Sequence, residues 1–441
     1  MTVELDTVVI GAGISGLAYA HARGPGAELV VLEASARAGG LVQTLHGGSD
    51  NGFRYEAGPE SLRFEVRGGL TDMLGELALA AHKPPGEAAR RFLVCRGKLV
   101  DAPLSPPKFI ASPLLSVRGK LRMLAEPLRD PKRCNDGSVA DFVRHRIGQE
   151  ALDAMLDPLV SGIHAGDPAQ LSMRACFPRL VELVEKHGGL FRALLKTRGE
   201  PAPSVMKPEG GCQAITDALA ARLGDKLRLR SPVTALSREN DRWRVLSGSG
   251  EFRARRVVLA VAAPTAARLL AAPLPELARI VGTIQSENVV SFVHVHRRES
   301  VEHSLGGFGY LVASRERMHH LGTLFSSSIA PDACPRTHVV LRTLLGGARQ
   351  SELIDASDEQ LAHIVRTEVG SLLGLRADPE FTAIQRWRAT LPRFDLQHPA
   401  RVDAIERATP PSLGLCGNWL RGIGVNHLAA SARTLASAHS Q

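Results

Sequence analysis

Aromatic residues are scarce in this chain of 441 residues: 13 Phe, three Trp and three Tyr. The core must therefore be built from Leu, Val and Ala. A nucleic-acid surface that stacks bases on rings is a poor reading, the more so because the basic residues are dispersed. Lysine is also rare. Nine of the 54 basic residues are lysines, and none follows Lys226. The six cysteines, at 95, 134, 176, 212, 334 and 416, show neither a paired framework nor C-x-x-C spacing, which suits a reducing cytoplasm. No uninterrupted apolar run reaches about 18 residues, so a spanning helix is not expected. The first strand begins by residue 7, and no secretory leader is expected before it.

The length exceeds the usual single-domain range and implies two or three domains with a large core. The net charge of +9 favours anionic partners, either a carboxylate-bearing substrate or the anionic face of a membrane. Arginine enrichment from genome composition accounts for the same charge without any partner.

The most informative stretch is a hydrophobic strand, Thr7-Val8-Val9-Ile10, running into Gly11-Ala12-Gly13-Ile14-Ser15-Gly16, with Glu33 closing a second strand seventeen residues later. Strand, glycine turn, helix, strand and acid fall in register as a dinucleotide fingerprint. The glycines let the backbone approach a pyrophosphate, the helix start offers N–H groups and a positive dipole end, and the carboxylate binds a ribose diol. After Glu33 come Ala34, Arg37, Gly39-Gly40 and Glu56-Ala57-Gly58-Pro59. An NAD unit has no need of the second glycine pair. The E-x3-R-x-G-G run resembles that of glutathione-reductase-like flavoproteins of the amine-oxidase group. By that resemblance the cofactor is non-covalent FAD, with Arg37, the Gly39-Gly40 backbone and Gly58-Pro59 along its phosphates and flavin.

Two later segments read as returns to the same domain. Residues 227–264 form strands ending in Val257-Val258-Leu259-Ala260-Val261, and Val233 resembles the valine whose backbone meets the adenine. Leu413-Gly414-Leu415-Cys416-Gly417-Asn418 leads to Gly422-Ile423-Gly424-Val425-Asn426 and an Ala-rich helix, whose start would face the flavin's pyrimidine carbonyls.

Further motifs narrow the family. Ser161-Gly162-Ile163-His164-Ala165-Gly166-Asp167, Gln170-Leu171-Ser172-Met173-Arg174, Gly307-Phe308-Gly309-Tyr310-Leu311-Val312 and Leu345-Gly346-Gly347 occur in the order seen in protoporphyrinogen oxidases, and the chain resembles that family over essentially its whole length. The resemblance implies an α/β fold: a glutathione-reductase-like, Rossmann-type FAD-binding domain from residues 1–62, 207–266 and 408–441, an α+β substrate domain from 63–84 and 267–407, and a mainly helical, membrane-facing segment over 85–206. It implies a porphyrinogen substrate, molecular oxygen as acceptor, and a monomer or homodimer in the cytoplasm, peripheral on the inner face of the cell membrane. Strands are expected near Val289 to Val295, Gly309 to Val312, Gly322 to Phe325 and Val339 to Leu344, then a helix from Asp358 to Leu373.

Oxidising a porphyrinogen needs a dry, apolar slot and a cation for the propionates; the cofactor carries the difficult step. Phe308, Gly309, Leu311 and Leu344 are the candidate slot, with Gly162, Ala165 and Gly166 as a side-chain-poor wall. By the same resemblance Arg63, five residues after Gly58, is the candidate propionate anchor, and its guanidinium suits a carboxylate. Trp419 and His427 depart from the family pattern, and a Trp419 projecting into the cavity would alter substrate choice. Coproporphyrinogen III remains an alternative substrate. So do an amine oxidase, though this chain lacks a late lysine and a ready tyrosine pair, a desaturase, and a flavin-binding partner without turnover.

Residues 103–115, rich in proline and apolar side chains, precede a basic helix over Arg118 to Arg129; with Lys108, Arg118, Lys120 and Arg122 they form either a headgroup-docking surface or a domain-packing loop. Residues 190–207 read as a flexible connection. His294, His296 and His319-His320 lack a persuasive third metal ligand and read as solvent-facing.

Overall fold

The computed structural model describes residues 2–48, 50, 52–103, 106–130 and 135–440, so Leu104, Ser105 and Cys134 fall outside it. Two seven-stranded sheets carry the architecture. The first is centred on Thr2–Ile10, Leu29–Leu32 and Gly250–Leu259. Their apolar runs, such as Val8-Val9-Ile10 and Val257-Val258-Leu259, are buried throughout. Continuous rather than alternating hydrophobicity is what parallel strands covered on both faces require. Val9, Val31 and Val258 pack with the helices Ile14–Ala22, Gln213–Leu223 and Val425–Ala438, while Val8, Val30 and Val257 pack with Ala263–Leu270 and Pro275–Gly282. Leu413–Leu415 joins in parallel beside residues 257–259. The antiparallel hairpin Val233–Glu239 and Arg242–Ser247 turns at Asn240 and Asp241, both at positive φ, as a two-residue hairpin loop requires.

The second sheet runs in the order Phe381–Pro392, Ser286–Arg297, His338–Gly346, His320–Leu324, Gly309–Leu311, Phe92–Cys95, Lys98–Asp101. It is antiparallel except where Gly309–Leu311 runs parallel to Phe92–Cys95. The helical stretch Asp358–Leu373 covers one face, with a widened turn at Val365–Val369. Two stretches differ from the sequence reading. Phe381–Pro392 is an edge strand half-exposed along its length, so no alternation betrays it. The hairpin over 92–101 lies within the stretch read as helical, its strands too short to show a period.

Short helices between residues 106 and 196 enclose a core of their own around Leu115, Phe142, Leu152, Val160 and Val184. Residues 190–207 are not a featureless connection: they contain the helix Leu190–Lys196 and, from Ser204, a strand to Pro208 that pairs with Leu62–Phe64. The five cysteines among the described residues are free thiols.

Candidate active site

The glycine turn is built for close approach. Gly11 sits at φ +102°, and a Cβ there would lie 2.5 Å from the Ala260 carbonyl oxygen; a Cβ on Gly16 would strike the carbonyl oxygen of Gly11 at 2.0 Å. Gly13 is different: a Cβ there would meet nothing within 4 Å, and no side chain caps the helix it opens, Ile14–Ala22. The same holds at Gly424, which opens Val425–Ala438 beside it. Two adjacent helix N-termini thus face open space, as an anionic cofactor needs. Glu33 stands at this turn, its carboxylate accepting from the Ala12 N–H at 2.8 Å and from Ser35. Ala34 is exposed next to it. Residues 228–231, which lead into Val233, are hydrogen-bonded alongside residues 33–35. Arg37 donates to the carbonyls of Ala38, Gly40 and Val42, and Gly39 bridges to Gly13. These residues fit FAD.

The loop Glu56-Ala57-Gly58-Pro59 is clamped from the second sheet. Arg342 donates to the Glu56 carbonyl at 2.9 Å, and the Trp387 indole donates to the Ala57 carbonyl at 2.8 Å. Gly58 is obligatory, since a Cβ would lie 1.8 Å from the Leu41 carbonyl oxygen. Beneath the loop lies a buried ionic cluster that sequence reasoning missed. Lys207 reaches Glu56 at 3.3 Å and Glu60 at 3.0 Å, and Arg342 reaches Glu60 at 3.3 Å. Burial raises the Glu56 carboxyl above the usual range, with Lys207 drawing it back down. Asn418 donates to the Thr390 carbonyl, a second tie between the sheets, and the Asn426 side chain accepts from the Leu70 N–H.

The candidate slot residues assemble by register. Leu311, Gly322 and Leu344 stand opposite one another across three strands, so Leu311 and Leu344 flank a position without a side chain. Gly309 is fixed by its neighbour strand, a Cβ there falling 2.3 Å from the Thr323 carbonyl oxygen. Gly162 and Gly166 admit close packing: the Cβ positions they leave free are taken by Leu311 and Leu171. Ala165, at φ 51°, ends the helix Asp157–His164 and accepts from the Ala348 N–H. His164 is buried between Phe177 and Phe394, and burial lowers its pKa to about 4.

Arg63 is on the small sheet Leu62–Phe64, 59% exposed at its side chain, with Nε donating to Glu65 at 3.1 Å. Of the candidate slot residues, Phe308 meets a cation: the Arg91 guanidinium stacks 4.0 Å from the centroid of its ring. Arg91 Nη1 donates to the carbonyls of Ala88, Ala89 and Arg90, and burial lowers its pKa. A cavity of about 210 Å³ adjoins it, lined also by Arg90, Asp101 and Lys108. The parallel pairing of Leu93 with Leu311 brings Arg91 to Phe308, a contact no spacing rule reveals.

Trp419 does not project into the cavity. It is buried in the first-sheet core, its indole donating to the Val261 carbonyl at 2.8 Å. The histidine reading also needs correction: His294, His296 and His320 are buried and hydrogen-bonded, and only His319 of the four is well exposed. Among the described residues no group of three or more side chains could hold a metal ion.

The chain belongs to the flavin containing amine oxidoreductases, whose sequence profile matches residues 14–429. Within that family it is 31% identical to the mitochondrial protoporphyrinogen oxidase of Nicotiana tabacum, over 96% of this chain and 92% of the tobacco protein. It is 26% identical to the coproporphyrinogen III oxidase of Bacillus subtilis (strain 168), over 95% of this chain and 94% of that protein. A crystal structure from Exiguobacterium sp. 255-15, provisionally named a protoporphyrinogen oxidase, superposes with a TM-score of 0.83 at 26% identity, covering 99% of this chain and 98% of that one.

Proposed function

We propose that this protein oxidises protoporphyrinogen IX to protoporphyrin IX with oxygen as acceptor, a step of haem formation. The observation that carries the reading is the slot: Leu311 and Leu344 flanking Gly322, with Phe308 at its end and Arg91 stacked on that ring. Bound FAD supplies hydride acceptance and returns the electrons to oxygen. The protein's own residues do the rest. The two leucines exclude water and orient a flat, apolar macrocycle; Arg91, already half-desolvated, pairs a propionate and fixes which edge enters first. Gly13 and Gly424 leave room at helix ends that stabilise negative charge.

Coproporphyrinogen III is the second reading, favoured by Arg90 and Lys108 on the cavity beside Arg91, which offer more cations to a substrate with more carboxylates. Amine oxidation is disfavoured by where the tyrosines lie. Tyr19 bonds His439, Tyr55 packs on Phe381, and Tyr310 is buried against His320 and Thr323, so none walls an amine cage.

The same proposal includes a cytoplasmic enzyme resting on the inner face of the cell membrane. Its support is an unpartnered apolar stripe: Val117, Leu121, Leu124 and Leu128 are 75%, 63%, 58% and 86% exposed, with Ile110 and Leu194 exposed as well. No helix among the described residues is long and apolar enough to cross a membrane.

Anaerobic mixing of the yellow protein with protoporphyrinogen IX, coproporphyrinogen III and a panel of amines tests the proposal through flavin absorbance. Rapid bleaching by protoporphyrinogen IX is expected, with slower bleaching by coproporphyrinogen III. Bleaching by an amine alone would overturn it.

A further inference from the structure

The walls of the slot come from separate stretches of chain. Leu311 and Leu344 lie on strands of one sheet with His320–Leu324 between them, whereas Gly162 and Ala165 belong to the end of the helix Asp157–His164. One carboxylate ties that helix to the sheet. Asp157 Oδ1 accepts from Arg349 Nη2 at 2.7 Å, and Oδ2 accepts from the Ser314 N–H at 2.7 Å and from the Ser314 hydroxyl at 2.9 Å. Arg349 extends the tie: Nη1 donates to the Val312 carbonyl at 3.1 Å, and Nη2 donates to the Ser161 hydroxyl as well. That hydroxyl gives its own proton to the Asp157 carbonyl at 2.8 Å, one helical turn back.

Every member of this knot is a close neighbour in sequence of a slot residue. Ser161 precedes Gly162, Val312 follows Leu311 with Ser314 just beyond it, and Arg349 ends the turn that follows the strand of Leu344. Helix and strands also touch directly. A Cβ on Gly162 would lie 2.5 Å from Leu311 Cδ2, and one on Gly347 would lie 2.4 Å from the Ala165 carbonyl oxygen. The Ala348 N–H donates to that same oxygen at 2.7 Å. Contacts this close transmit a displacement rather than absorb it, so a helix free to slide would carry the Leu311 side chain with it.

The knot is also shielded from water. The Asp157 side chain is 9% exposed and that of Arg349 18%. A pair so placed, with both carboxylate oxygens engaged by the chain's own donors, keeps one geometry, where an exposed pair would trade its partners for solvent. We propose that Asp157 and Arg349 are positioning residues for substrate oxidation: they lock the helix wall at Gly162 and Ala165 against Leu311 and Leu344, and so fix the depth and tilt at which the macrocycle meets the flavin. The proposal rests on the reading of these residues as the porphyrinogen slot. A misplacement of about 1 Å in a bound substrate costs on the order of a hundredfold in rate, while the apolar surface it buries hardly changes. The loss therefore falls on the oxidation step more than on binding.

The test separates flavin reduction from flavin reoxidation by stopped flow on two FAD-loaded variants. Arg349→Met deletes the donations to Asp157, Ser161 and Val312 and keeps the reach of the side chain. Ser314→Ala deletes one hydroxyl from an exposed residue and spares the fold. Arg349→Met is expected to slow anaerobic flavin reduction by protoporphyrinogen IX roughly tenfold or more, with the half-saturating substrate concentration changed by less than about threefold. Ser314→Ala should slow it about two- to threefold, and it decides alone if Arg349→Met does not retain FAD. Oxygen needs no slot, so dithionite-reduced flavin should be reoxidised in both variants at the rate of the unaltered protein. Reduction at the unaltered rate, or reduction and reoxidation slowed by the same factor, would overturn the proposal. Failure of protoporphyrinogen IX to bleach the unaltered protein is a separate result and strikes the oxidase reading. The comparison is then made with whichever of coproporphyrinogen III or the amines does bleach it, and bleaching by none would end both.

Discussion

Arg63 and Arg91 show how one side chain type takes its role from its surroundings. Arg63 is followed two residues later by Glu65, and the alternation of a strand puts both on one face, where the carboxylate captures the guanidinium. Arg91 enters a fully buried strand and lands on the Phe308 ring, with Nη1 tied to three backbone carbonyls. A propionate pairing with a half-buried guanidinium gains a charge-assisted hydrogen bond of about 1.5–3 kcal/mol. Arg91→Ala should therefore raise KM for the porphyrinogen by roughly tenfold or more, with kcat and flavin content retained. Arg63→Ala should change KM by less than about twofold, because it removes an exposed pair. Steady-state kinetics on the two variants decides, and the reverse ranking would return the anchor role to Arg63. Counting from Gly58 selected Arg63 in the sequence because spacing is local information. The partner of Arg91 lies more than two hundred residues away and is delivered by strand pairing, which a linear pattern does not encode.

At the scale of elements, the helix Val117–Leu124 is the exception to the rule that each amphipathic face finds a neighbour. Ser116 caps it, accepting from the Gly119 N–H, so it is a well-started helix rather than a frayed loop. Its buried side is polar work: Arg122 donates to the carbonyls of Arg144, His145 and Arg146, closing the end of the helix Val139–Arg146. Lys120 donates to the Ile110 carbonyl, and Lys108 pairs with Asp101, so Arg118 is left as the freest of the four cations read from sequence. The apolar residues of the helix point outward because Lys120 and Arg122 point in. Burying a leucine-sized side chain is worth about 1.5–3 kcal/mol. Leu121→Asp combined with Leu128→Asp should thus cut partitioning onto anionic phospholipid vesicles by roughly tenfold or more; unchanged sedimentation with vesicles would make the stripe a covered packing surface. The sequence shows that this segment mixes prolines, apolar and basic residues. Which of them face outward depends on carbonyls donated by a helix twenty residues on, and that is a tertiary fact.

At the scale of the whole molecule, the first sheet was the most legible part, because parallel strands buried on both faces announce themselves as unbroken Val-Leu-Ile runs and the glycine turn fixes their connection. The joint between the two sheets was not legible, since it is made by isolated charges, each unremarkable in sequence. Glu56 and Glu60 from one loop meet Lys207 and Arg342 from two distant strands where water is excluded, two acids with two bases. Removing one member of such a cluster costs about 3–5 kcal/mol, because its partner stays buried and charged. Lys207→Met has the clearest signature. Burial already raises the Glu56 carboxyl, and Lys207 is the strongest attraction holding it down. Without that lysine the folded-state pKa of Glu56 rises further above its ordinary value of 4.5. A carboxyl raised in the folded state favours folding while protonated, so the variant keeps most of its stability at acid pH and loses it as pH climbs through the shifted pKa. Thermal unfolding between pH 5 and 8 should show Tm falling relative to the unaltered protein as pH increases, with FAD released in parallel because the Gly58-Pro59 loop loses its floor. Adding Glu56→Gln should restore most of the loss at pH 8. A Tm deficit independent of pH would instead assign Lys207 to packing alone.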